Sequence, residues 1–96
     1  MTLLLARLLD YLEARLGIRR RHSHFYRAYL RSDTWKRVRT GAISAARNRC
    51  QECGYSGRRL QVHHLNYANL GRERPQDLRV LCPNCHVAAD RKRQGL

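Results

Sequence analysis

Cys50-Gln51-Glu52-Cys53 and Cys82-Pro83-Asn84-Cys85 are two Cys-x2-Cys pairs, and they use all four cysteines of the chain. Thiolates take zinc in tetrahedral sets at ~2.3 Å, and a structural site is closed by four protein ligands. A two-residue spacer lets each pair present both sulfurs to one ion, so the spacing predicts a single four-cysteine zinc site. Residues 54–81 separate the pairs. That is longer than the ~15–20 residues of compact ribbons, so the insert has a purpose of its own. Two redox disulfides would be the competing use, but the strand-and-helix context of a redox fold is missing. With four sulfurs on it, the zinc keeps no open position for water and serves structure alone.

The residues left over are His63, His64, His86 and Asp90. His86 and Asp90 are four apart on a predicted helix and share a face. An imidazole nitrogen and a carboxylate oxygen at that spacing can chelate one divalent cation, and His63 can add a third ligand. Neighbouring strand residues point to opposite faces. His63 and His64 therefore serve one site only if the strand ends or bends there. A chance double histidine, or His86 as a spare zinc ligand, are the bland alternatives. Cysteine outranks histidine for the zinc, and its count is already complete.

The chain has 96 residues and a formal charge of +13, from 20 Lys+Arg against 7 Asp+Glu. Its length allows one small domain, which needs a staple because so little surface can be buried. The charge favours an anionic polymer as partner over a merely solvated surface. Lys36 and Lys92 are the only lysines. Arginine pairs with phosphate in a bidentate fork, which suits nucleic acid. The run Leu3-Leu4-Leu5-Ala6 is cut by Arg7 and Asp10, so neither a secretory core nor a spanning helix is expected. A cytoplasmic, reducing setting follows, in which paired Cys-x2-Cys motifs favour metal over disulfide.

The elements that must position these residues are short. Leu5, Leu8, Leu9, Leu12 and Leu16 predict an amphipathic helix over 3–16, with Gly17 as its stop. Arg19-Arg20-Arg21-His22 reads as a basic link, and His22 and His24 as surface residues. A helix is expected over 33–48, capped by Ser32 or Asp33. Its apolar stripe is Trp35, Val38, Ala42 and Ala45 or Ala46, with Trp35 in the core rather than stacked on a base. Leu60-Gln61-Val62-His63 alternates like a strand. Leu65 to Asp77 holds Gly71 and Pro75 and reads as a loop. Leu78-Arg79-Val80-Leu81 is a second strand, and 86–93 a terminal helix.

Taken in order, Tyr29-Leu30-x-Ser32-x-x-Trp35, Cys50-Gln51-Glu52-Cys53-Gly54, Val62-His63-His64-Leu65-x-Tyr67, Leu70-Gly71-x-Glu73, Asp77-Leu78 and Leu81-Cys82-Pro83-Asn84-Cys85-His86 resemble the HNH endonuclease family. The resemblance covers 29–90 and leaves 1–28 outside. It implies an α+β fold, a small zinc-stapled ββα-metal finger preceded by N-terminal helices. The expected division is 1–31 as a helical extension and 32–96 as the nuclease domain. It further implies His64 as the general base and His63, His86 and Asp90 as ligands of a catalytic cation. Asp77 stands where the family's middle Asn often stands and would tie the loop down and orient His64. Asp90 stands where many relatives carry a second helix histidine, which favours Mg²⁺ or Mn²⁺ character. The catalytic cation would be Mg²⁺, Mn²⁺, Ni²⁺ or Zn²⁺, distinct from the structural Zn²⁺.

The activity so implied is metal-dependent hydrolysis of DNA phosphodiesters, leaving a 5′-phosphate and a 3′-hydroxyl. Arg58, Arg59, Arg72, Arg74, Arg79, Arg91, Lys92 and Arg93 are the expected backbone contacts. Such contacts give affinity and salt dependence rather than sequence readout, so weak specificity is expected. One site nicks one strand. Double-strand cutting needs two copies, which the leucine helix could pair, or a larger DNA-processing complex. The alternative is a zinc-stabilised module that binds nucleic acid without cutting it, or an accessory subunit of a DNA-processing assembly. The non-cutting module does not need His64, His86 and Asp90 together; the subunit would show feeble activity alone and specificity only with a partner.

Overall fold

Buried residues are few, and the chain concentrates them where cysteines meet strands. A computed structural model describes residues 1–95 and divides the chain into two compact units, Met1–Arg37 and the remainder from Val38.

In the first unit, α1 (Leu3–Arg15) and α2 (His24–Tyr29) pack together. Thr2 caps α1, its side chain accepting from the Leu5 N–H at 3.1 Å. Ala6 is the one fully buried residue of α1. Asp10 reaches across to α2, whose first backbone groups lack partners of their own. Its Oδ1 accepts from the His24 N–H at 2.6 Å and its Oδ2 from the Phe25 N–H at 2.9 Å. Glu13 takes the Arg20 guanidinium in a two-point pair at 2.6 and 2.7 Å, and His24 Nε2 lies 2.8 Å from it. The Arg20 pair, with His24 beside it, brings the Glu13 carboxyl down to about 2. Asp10, Glu13 and His24 lie close enough to hold a cation. Their hydrogen bonds instead fasten α2 to α1.

The sequence reading missed α2, and it placed His22 and His24 at the surface. Both are half-buried: His24 against Glu13, and His22 with its ring 5.2 Å from that of Tyr26. Six residues offer no helical period, and the fastening comes from a distant carboxylate. α3 (Asp33–Ala45) begins where expected, with Ser32 Oγ accepting from the Trp35 N–H at 3.1 Å. Trp35 is buried, with its ring 5.9 Å from that of Tyr29.

In the second unit, Cys50, Leu60, Val80, Leu81 and Cys82 form the core, and Ala42, Ile43, Ala46, Val62, Cys85 and Ala89 pack against it. Of the two positions the stripe left open, Ala46 packs on the core and Ala45 is exposed, and Ile43 joins the stripe. β1 (Gln61–His64) pairs antiparallel with β2 (Leu78–Leu81), with His63 opposite Arg79 and His64 opposite Leu78. β1 lies one residue later than the alternation suggested. α4 (Pro83–Arg93) also starts earlier than expected, because Cys82 caps it and Pro83 occupies its first turn. The fold is thus α+β: helices with a two-stranded sheet, its four cysteines gathered as in a zinc-stapled domain. Among the described residues, no helix is long and apolar enough to cross a membrane.

Candidate active site

The first cysteine pair sits on a tight turn. The Cys50 N–H donates to the Tyr55 carbonyl at 2.8 Å and the Gly54 N–H to the Cys50 carbonyl at 2.9 Å. Gly54 takes φ +83°, a conformation that side chains disfavour. Gln51 ties this turn to β2: its N–H donates to the Val80 carbonyl, and its Oε1 accepts from the Val80 N–H at 2.7 Å. The second pair opens α4. The four sulfurs lie within 4.8 Å of one another, with Cys53 and Cys82 3.7 Å apart. Bonds of ~2.3 Å in a tetrahedron place sulfurs ~3.8 Å apart, so the set fits one tetrahedral metal ion.

The local charges agree with that fit. Burial would raise the Cys50 thiol, but N–H groups of Cys53, Cys82 and Glu52 aimed at its sulfur bring it down to about 6. The Cys82 sulfhydryl and burial push Cys85 up to about 12. Four thiols so close cannot all ionise by themselves, and a cation is what makes four thiolates compatible.

A second group of ligand atoms lies apart from the sulfurs. His63, His86 and Asp90 bring one ligand atom each to within 4.8 Å of one another. β1 supplies His63 and α4 supplies the other two, one turn apart. The His63 and His86 rings meet edge to face at 5.2 Å. Burial, followed by the charge of Arg93, lowers the His63 pKa and keeps its imidazole neutral, the form that binds metals. Two nitrogens and a carboxylate oxygen suit a divalent cation. His63 also lines a cleft of about 580 Å³ with Arg79, Lys92 and Arg93.

His64 is not in that group. It is 2% exposed, and its Nε2 lies 2.8 Å from Glu73 Oε2, with both side chains 1% exposed. The Tyr67 ring lies 6.0 Å away. Sequence reasoning gave Glu73 no role, because the contact exists only once the 65–77 loop has turned back on β1.

Asp77 is the hub of that loop. Its Oδ2 accepts from the Arg74 N–H at 3.0 Å and Asn69 Nδ2 at 2.9 Å, and its Oδ1 from Asn66 Nδ2 at 3.2 Å. The Leu65 N–H donates to its carbonyl at 2.8 Å, closing the loop ends. The Arg74 N–H, then the Arg74 side chain and the Asn69 amide, hold the Asp77 carboxyl well below the usual carboxylate range. Asn66 and Asn69 are partners that sequence reasoning did not assign.

The basic residues divide by environment. Arg58 and Arg59 border a cleft of about 700 Å³ beside Cys53, Cys82 and Cys85. Arg72, Arg91 and Lys92 are exposed. Arg74 is paired with Asp77 at 3.2 Å and Arg79 with Glu52 at 3.0 Å. Arg93 donates to Tyr67 Oη at 2.6 Å, to His63 Nε2 at 2.9 Å and to the His64 carbonyl.

Residues 50–92 match the family model described as HNH endonuclease. No curated protein and no solved structure matches the chain. The matched span holds both cysteine pairs, both strands, the 65–77 loop and the ligand-bearing turns of α4.

Proposed function

We propose that the chain is a metal-dependent HNH endodeoxyribonuclease. It nicks DNA or cleaves both strands, with weak sequence specificity. The observation that carries this reading is the convergence of His63, His86 and Asp90, separate from the four sulfurs, within the family-matched span. Residues 32–96 act as the nuclease domain and 1–31 as a helical extension, in a cytoplasmic setting that keeps the thiols reduced.

Cys50, Cys53, Cys82 and Cys85 hold Zn²⁺ for structure. His63, His86 and Asp90 hold one divalent cation (Mg²⁺, Mn²⁺, Ni²⁺ or Zn²⁺). When bound, that cation polarises a phosphoryl oxygen and neutralises charge growing on the leaving oxygen. His64 takes the proton of the attacking water. Asp77 keeps the 65–77 loop closed, and with it the surroundings of His64. Arg93 donates to the His63 nitrogen, Nε2, and would be free to take a backbone phosphate were that nitrogen to hold the cation. Lys92, Arg91, Arg79, Arg72, Arg74, Arg58 and Arg59 supply further phosphate contacts, and salt weakens these uniformly across sequences.

The test is nicking of supercoiled plasmid by the zinc-loaded protein, with added Mg²⁺, Mn²⁺ or Ni²⁺ and with EDTA. Cleavage that needs an added cation is expected. DNA binding without cleavage under every cation would instead favour a non-catalytic zinc module or an accessory subunit.

Double-strand cutting requires two sites, and α1 supports pairing of copies. Leu4, Leu5, Leu8 and Leu12 are 46–79% exposed, while the charged groups Asp10 and Glu13 are turned to α2 and Arg20. Leu8→Glu is expected to shift sedimentation from dimer to monomer and to leave nicking intact. A wild-type chain that sediments as a monomer at high concentration removes this assignment.

A further inference from the structure

We infer that Glu73 is a positioning residue for His64, holding its imidazole in the one tautomer that accepts a proton at Nδ1. The inference rests on the reading of His64 as the base. A carboxylate offers only acceptor oxygens, so the contact of His64 Nε2 with Glu73 Oε2 at 2.8 Å makes Nε2 the protonated nitrogen. The neutral ring then carries its lone pair on Nδ1. When the ring gains a proton, Glu73 supplies the opposite charge beside it, as the carboxylate does in a Ser-His-Asp triad.

The loop is built around this contact. Glu73 Oε1 accepts from the Gly71 N–H at 2.9 Å, so the carboxylate is held at one oxygen by the backbone and at the other by the ring. Gly71 has φ +89°, and a Cβ there would meet nothing within 4 Å. Its backbone conformation, not lack of room, calls for glycine. Neither metal site uses the Leu70-Gly71-x-Glu73 segment, yet the contact explains it, since this segment turns the chain so that Glu73 points back at β1. Stability is a poor explanation for the pair. Both side chains are 1% exposed, and burying a carboxylate with an imidazole often does no better than apolar packing of the same volume. Asp77 closes the same loop but bonds to backbone and side-chain groups of the loop itself, so the two acids divide the work.

The experiment compares Glu73→Gln and Glu73→Ala with wild type and with His64→Gln, all zinc-loaded. Glu73→Gln keeps an acceptor and the shape but loses the charge. The expected result is a fall in kcat of about 10–100-fold for either variant, with KM for DNA and Mn²⁺ affinity within about twofold of wild type. Nitrogen-15 spectra of the His64 ring report the tautomer without reference to activity. They should show Nε2–H in wild type and a mixture in Glu73→Ala. If His64→Gln is inactive while both Glu73 variants cleave like wild type, the inference fails and the reading of His64 stands. If His64→Gln itself cleaves like wild type, the reading of His64 fails. A wild-type ring protonated at Nδ1 overturns the inference whatever the activities.

Discussion

Cys82→Ser is expected to leave the four-sulfur site unable to hold a metal and to abolish cooperative folding of the unit that begins at Val38. Serine is chosen because Cys82 acts in two ways. It caps α4, its sulfur accepting from the Cys85 N–H, and it is one of the four gathered sulfurs. A serine hydroxyl caps a helix well, so the substitution keeps the cap and loses only the metal ligand. The size of the effect follows from what else could hold the unit together. Two of its five buried core residues, Cys50 and Cys82, belong to the four gathered sulfurs, leaving Leu60, Val80 and Leu81. A core of that kind rarely supplies more than ~3–5 kcal/mol. Structural zinc in finger peptides contributes about 10–16 kcal/mol near neutral pH. The metal term therefore decides whether the unit folds. Metal analysis should find one tightly held zinc per wild-type chain and none in the variant. The thermal transition of the variant should broaden to the non-cooperative profile of wild type stripped by a strong chelator. A variant that melts sharply at the wild-type temperature would show that the sulfurs are not the staple.

The gathering of the four cysteines was the most legible part of the sequence, for a physical reason. Ligand spacing is set by covalent geometry inside a short turn, and two such turns need only the same ion to meet. β2 could be read to the residue because its Leu-Arg-Val-Leu alternation sits between a turn and a cysteine pair. The start of α4 was harder. Pro83 after a capping residue is a start signal, but it lies inside the cysteine motif, whose own spacing masks it. α2 was not legible, since its six residues are held by Asp10 from fourteen and fifteen residues away. The pairing of His64 with Glu73 belongs to the same class. Nothing in local periodicity says that a loop will return a carboxylate to the strand it left. His63 and His64 show the limit most clearly. Adjacent in sequence and both buried, they meet different partners where β1 ends: the His63 ring packs against that of His86 of α4, and His64 meets Glu73 of the loop.

That separation makes the second large effect a contrast between two variants. His64→Gln is expected to lower plasmid nicking by roughly 10²–10⁴-fold, the range for removal of a positioned general base, while zinc content and Mn²⁺ binding stay as in wild type. His86→Ala is expected to lose both nicking and Mn²⁺ binding, since it takes one of the three ligand groups from the cation. Glutamine is preferred to alanine at position 64 because of Glu73. Truncating the ring would leave a buried carboxylate without its imidazole, and breaking a buried pair from one side costs about 3–5 kcal/mol. A glutamine amide can still donate to Glu73, so a loss of cleavage reports on proton transfer rather than on folding. Titration of Mn²⁺ followed by electron paramagnetic resonance separates the two variants without any DNA present. If His64→Gln binds Mn²⁺ normally and cleaves within a few-fold of wild type, the proton acceptor is some other group. If it loses Mn²⁺ along with cleavage, His64 is a ligand. The division between His63, His86 and Asp90 on one side and His64 on the other would then have to be redrawn.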